Sequence, residues 1–121
     1  MERMKVAAAA VVVSLAAPLV SAQSFSEFEK LEKGAMAGRY QDQRNLAYWL
    51  SGGYNNALPQ NPVLACAWRL VILASGSRSV DATDVSNKQF FCDRRLDADG
   101  MRAATTQAKQ LQRDIAGAKQ R

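Results

Sequence analysis

The chain has 121 residues, 48% of them hydrophobic, with 16 Lys and Arg against 11 Asp and Glu and no histidine. That length holds one modest core rather than two, and the missing histidine removes the usual general base and the commonest neutral metal ligand. The formal net charge of +5 is a mild basic excess, too weak and too little interleaved with aromatics to mark a nucleic-acid partner.

The N-terminus reads as a secretory leader. "MERMK" is a short basic segment, "VAAAAVVVSLAAPLV" is an apolar run of small side chains, and Val20-Ser21-Ala22 offers small residues before polar Gln23. The competing reading is an N-terminal membrane anchor, against which Pro18 and the small-residue exit weigh. Residues 1–22 are therefore expected to be a signal peptide. Cleavage after Ala22 leaves Gln23 to Arg121, 99 residues, as a single domain with no stable membrane anchor. It removes Glu2, Arg3 and Lys5 and lowers the net charge by one, to +4. The expected location is periplasmic or secreted, and in such a compartment an even cysteine count predicts a disulfide, Cys66–Cys92.

Beyond the leader, "SFSEFEKLEKGAMAGRY" predicts a short helix capped by Ser24 or Ser26, with Phe25, Phe28 and Leu31 on one face. "QDQRNLAYWLSGGYNN" predicts a second helix begun by Asp42, carrying Leu46, Trp49, Leu50 and Tyr54 at helical spacing and weakened at its end by Gly52-Gly53. "NNALPQNP" is a loop. "PVLACAWRLVILAS" predicts a helix buried on most sides, with Asn61 as N-cap, Pro62 in the first turn and Arg69 as its one charge. A β-strand over "RLVILAS" is the competitor. "DATDVSNKQFFCDRRL" can form a short helix with Val85, Phe90 or Phe91 and Cys92 inward. The last helix is capped by Asp97 and stapled by Leu96 and Met101. Its narrow stripe of Met101, Ala104, Ala108, Leu111, Ile115 and Ala118 can pack at home or on a helical partner. These elements predict an all-α domain of four to five short helices in antiparallel hairpins, with one disulfide.

Chemistry is sparse. Two cysteines cannot build a tetrahedral zinc site, and no carboxylates are spaced to complete one. "DADG" at Asp97 to Gly100 fails as a calcium loop because its flanking ligand positions fall on Arg95 and Thr106. Arg69, three residues after Cys66, can lower the pKa of a free thiol there. A second cysteine in an oxidising compartment favours the disulfide instead. Asp93-Arg94-Arg95 reads as a solvated stretch. No catalytic, cofactor-binding or metal-binding residues are expected.

The residues from Gly38 to Gly76 resemble the Sel-one-like repeat, a helix-turn-helix branch of the tetratricopeptide superfamily. Leu50 and Tyr54 stand at its helix A positions, and "LPQN" with Pro59 looks like its loop exit. Ala65 and Trp68 match its helix B ridge, and Ala74 and Gly76 sit near its close. "GRY" at Gly38 to Tyr40 is similar to the glycine-containing start of a preceding half-repeat, and "LDADGMRAATTQAKQL" resembles the helix that finishes such arrays. The segment between Tyr54 and Leu58 is shorter than the family's and lacks its glycines. One repeat is recognisable, where solenoids need about three. The resemblance implies a non-catalytic protein–protein interaction module, an adaptor or accessory to another envelope or secreted protein. A small periplasmic helical chaperone or a toxin-immunity protein is the alternative.

Overall fold

The structure is a computed structural model that describes residues 16–53 and 60–120, with the backbone alone over 16–24. Five helices follow in order: α1 (Ala16–Met36), α2 (Tyr40–Leu50), α3 (Pro62–Ala74), α4 (Ala82–Lys88) and α5 (Ala98–Lys119). A π-helical turn, Gln89–Asp93, continues α4. No strand occurs among the described residues, so the segment that could have been one, "RLVILAS", lies within and just beyond α3. Most of the expected leader, and Tyr54 and Pro59 of the repeat pattern, lie outside the described residues. The last residues of the expected leader lie in α1 (Ala16–Met36), which runs through the expected cleavage point. Among the described residues no helix is long and apolar enough to cross a membrane.

Two glycines turn the chain sharply. Gly38 has φ +87° and closes α1. Its N–H donates to the Ala35 carbonyl and that of Arg39 to Gly34, both at 3.0 Å, which is a Schellman motif. The same pair of bonds closes α2 around Gly52, at φ +103°, where Gly52 N–H donates to Trp49 and Gly53 N–H to Tyr48. Thus Gly52-Gly53, which weakens a helix when counted by propensity, forms its C-terminal cap. The first of these turns also moves the start of α2. The helix begins at Tyr40, with Arg39 in the N-cap position and no side-chain cap, and Asp42 falls inside its first turn.

The caps of α3 and α5 follow the sequence expectation. Asn61 Oδ1 accepts from Leu64 N–H at 3.0 Å with Pro62 next in line. Asp97 Oδ1 accepts from Gly100 N–H at 2.8 Å. Leu96 and Met101 both pack on the disulfide cluster. Asp81 and Asp84 make a reciprocal capping box at α4.

Helix α3 is central, packed by α2, α5 and the α4–π segment. Five successive residues, Ala65 to Arg69, are buried, as a helix covered on all sides requires. One core cluster joins Ala35, Leu46, Leu50, Ala65, Trp68, Val71 and Ile115, with Phe28 edge-on to Trp49 at 5.8 Å. A second surrounds Cys66 and Cys92 with Ala104, Val63, Leu70 and Met101. Several predicted inward positions differ. Phe25 and Val85 are exposed, as is Ala118, and of the alternatives Phe90 and Phe91 it is Phe90 that is exposed. The π turn supplies the reason for Phe90: its extra residue sends Phe91 and Cys92 toward α3 and Phe90 outward.

Candidate functional site

The cysteines form a disulfide, with Cα atoms 5.1 Å apart. Both are fully buried and no free cysteine exists, so Arg69 does not activate a thiol. Of the repeat-pattern residues, Leu50, Ala65 and Trp68 meet in the main core. No three His, Cys, Asp or Glu residues cluster as metal ligands among the described residues.

The polar chemistry gathers elsewhere, in a cleft of about 340 Å³ lined by residues of α2, α3, α4 and the π turn. Helix α2 contributes Gln41, Arg44, Asn45 and Tyr48, spaced so that one flank presents all four beside the buried ridge of Leu46 and Leu50. Helix α3 contributes Arg69, α4 contributes Asn87, and the π turn contributes Phe91.

Asp84, 2% exposed, anchors the wall of this cleft. Its Oδ2 accepts from Tyr40 Oη at 2.6 Å and from Asp81 N–H at 3.1 Å. Its Oδ1 lies 3.4 Å from Arg44 Nε, an ion pair without hydrogen-bond alignment. Arg44 in turn lies over the Tyr40 ring, 5.8 Å from its centroid. Burial, and the hydrogen bond that the neutral phenol donates to Asp84, hold the Tyr40 pKa above the ordinary range. The nearby Asp84 and Asp81 charges act in the same direction and Arg44 opposes them.

Arg69 is 3% exposed. Its Nε and Nη1 are buried without a hydrogen-bond partner, and its guanidinium sits 5.2 Å from the centre of the Phe91 ring. Burial lowers its pKa, the Arg44 charge lowers it further, and Asp84 and Tyr40 oppose that shift. A cation this buried and this poorly compensated is unusual, because buried charges are ordinarily paired and hydrogen-bonded.

Sequence reasoning picked out Arg69 only as the exception in an apolar helix and as a neighbour of Cys66. Its true neighbours come from three other segments, and no local spacing shows them. Asp84 carried one visible signal, its place three residues after Asp81 in a capping box. Asp93, Arg94 and Arg95 are exposed, as expected of a solvated stretch, and from that surface Arg95 also bridges the Ser51 carbonyl and Gln60 Oε1 at 3.2 and 3.3 Å. Comparison with protein-family models, curated proteins and solved structures finds no match for the chain. The geometry of the cleft alone bears on what it does.

Proposed function

We propose that this chain is an exported, non-catalytic binding module, an adaptor or accessory that holds another envelope or secreted protein at the cleft between α2, α3 and α4. The observation that carries the reading is Arg69, a buried guanidinium with unpartnered nitrogens in a cleft that Tyr48 and Phe91 also line. A finished core does not keep such a group without cost, whereas a partner can supply what it lacks. Tyr48, 49% exposed, is an aromatic side chain of the kind that anchors interfaces.

Other features support the same reading. A buried disulfide belongs to an oxidising compartment, which agrees with the leader-like N-terminus. The α2–α3 hairpin packs Leu50 with Ala65 and Trp68, which supports the Sel-one-like resemblance. Asp84, the buried carboxylate, is occupied by Tyr40, Asp81 and Arg44 rather than held ready for proton transfer.

A photo-crosslinking side chain at Tyr48 tests the reading in intact cells, with the same group at exposed Gln107 of α5 as control. The expected result is a discrete protein adduct from position 48 and none from position 107. Equal or absent adducts overturn it.

The exposed Val85 and Phe90 favour a second reading, a small periplasmic holdase that uses this apolar surface. Such a chaperone binds an apolar dye increasingly as carboxylates titrate. A flat response down to about pH 2–3 sinks it.

A further inference from the structure

We propose that the cleft is a carboxylate-binding site, with Arg69 as its anion-holding group and the acidic side chain of a partner polypeptide as its ligand. This rests on the binding-module reading above and names the chemistry that its partner must bring.

The first support is charge. Arg44 and Arg69 share this region with one buried carboxylate, Asp84. Asp84 is already held by Tyr40 Oη at 2.6 Å, Asp81 N–H at 3.1 Å and Arg44 at 3.4 Å. Its contacts tie α2 to α4, and its ion pair is with Arg44 rather than Arg69. Among the described residues Arg69 has no hydrogen-bonded or ion-paired anion of its own, and a monoanion would supply one.

The second support is the guanidinium itself. Nε and Nη1 are buried and unpartnered, and a planar guanidinium matches the two oxygens of a carboxylate better than any other cation in proteins does. Phe91 backs it at 5.2 Å, limiting its rotation without using its donors. The flanking donors suit the same ligand. Gln41 Nε2 donates to Asn45 Oδ1 at 3.0 Å, so Asn45 offers its Nδ2, and Asn87 lines the opposite wall.

The third support is shape and charge number. A cleft of about 340 Å³ lies at the small end of ligand sites and takes a side chain rather than a cofactor. No lysine lines it, and Arg44 is committed to Asp84. A phosphate dianion would therefore meet one uncommitted cation, where phosphate sites present several donors. Aromatic Tyr48 adds an apolar wall for the chain that carries the acid.

The test uses the full chain with its disulfide formed, followed by NMR of the Arg69 Nε–H and the Asn45 and Asn87 side-chain amides. The probes are acetate, inorganic phosphate, a capped peptide holding one Glu between aromatic residues, and the same peptide with Gln. Expected are saturable shifts at all three groups with the Glu peptide and weaker ones with acetate. The Gln peptide and phosphate leave them unmoved at equal ionic strength. Arg69→Met should abolish the response, and Arg69→Lys should weaken it at least ten-fold, since Lys keeps the charge and loses the planar fork. Asn87→Ala, a half-buried position remote from the core, serves if either Arg69 variant does not fold and should weaken binding several-fold.

Absence of saturation with any carboxylate overturns the site, as does undiminished binding in a folded Arg69→Met chain. Phosphate binding as tight as the Glu peptide overturns the ligand class. Acetate binding as tightly as the peptide keeps the carboxylate site and overturns the polypeptide source. The crosslink at Tyr48 is read separately, so a specific adduct with no carboxylate response leaves the binding module standing and removes this inference alone.

Discussion

Arg69 and Asp84 are both buried charges, yet they should respond to mutation in opposite directions. Asp84 is engaged on both oxygens. Asp84→Asn removes the carboxylate charge paired with Arg44 and bonded by Tyr40, and leaving those partners short of a buried anion costs about 1–3 kcal/mol. Arg69→Met instead removes a desolvated cation with unpartnered nitrogens and keeps much of its apolar stem. Stability should stay level or rise by about 1 kcal/mol, as replacement of uncompensated buried charge by apolar volume often allows. Urea unfolding of both variants checks the pair. A loss above about 2 kcal/mol for Arg69→Met, the size expected when a packed core residue is lost, makes Arg69 a structural residue. Tyr40 adds a pH signature. Its folded pKa is raised above the unfolded value of 10.0, so the folded state keeps its proton longer. The contribution is fully present below about pH 10 and is lost as pH rises through the folded pKa. Alkaline unfolding of Tyr40→Phe should therefore show a shallower fall in stability above about pH 10 than the parent chain. An identical fall removes Tyr40 as its source.

At the scale of the helices, the sequence was legible where a side chain alone decides a boundary. Asn61-Pro62 and Asp97 are local signals, since each side chain meets an N–H three residues on, and the α3 and α5 caps could be named from them. The start of α2 was not legible from Asp42, because the preceding turn sets where the chain re-enters a helix. That turn needs Gly38 at φ +87°. The inward face past α4 was only half legible. The sequence left Phe90 and Phe91 undecided, and a π turn, which no propensity marks, settles the choice for Phe91. The cleft was the least legible feature, since Arg44, Arg69, Asp84 and Phe91 are distant in sequence and each looks ordinary alone. The glycines provide a check on this account. Gly38→Ala places a side chain in left-handed backbone and should cost about 1–2 kcal/mol. Gly117, inside α5 with open space around a new Cβ, should instead gain about 0.5–1 kcal/mol as alanine. Thermal melts showing both substitutions moving stability in the same direction would contradict the turn assignment.

At the scale of the whole molecule, the small side chains of the core and the single disulfide belong together. Ala35, Ala47, Ala65, Ala67 and Ala108 let the helices approach closely but bury little apolar area each. The disulfide spans 26 positions, and in the chain-entropy account a loop of that length contributes about 3.5 kcal/mol. For a domain of this size that is a large share of the net stability. The closed loop also contains Arg69, Asp84, Asn87 and Phe91, whereas Gln41, Arg44, Asn45 and Tyr48 lie outside it on α2. Cys92 directly follows Phe91, so the bond that fixes Cys92 to α3 also fixes the ring beside Arg69. Reduction should therefore act on the cleft before it acts on the helices. A Cys66→Ala, Cys92→Ala chain is expected to unfold at lower urea, by about 3–4 kcal/mol. Below its unfolding transition it should keep its helical circular dichroism while the Arg69 Nε–H signal broadens and the carboxylate response weakens. If that chain binds the Glu peptide as tightly as the oxidised one, the staple serves stability alone and α4 holds Phe91 in place without it.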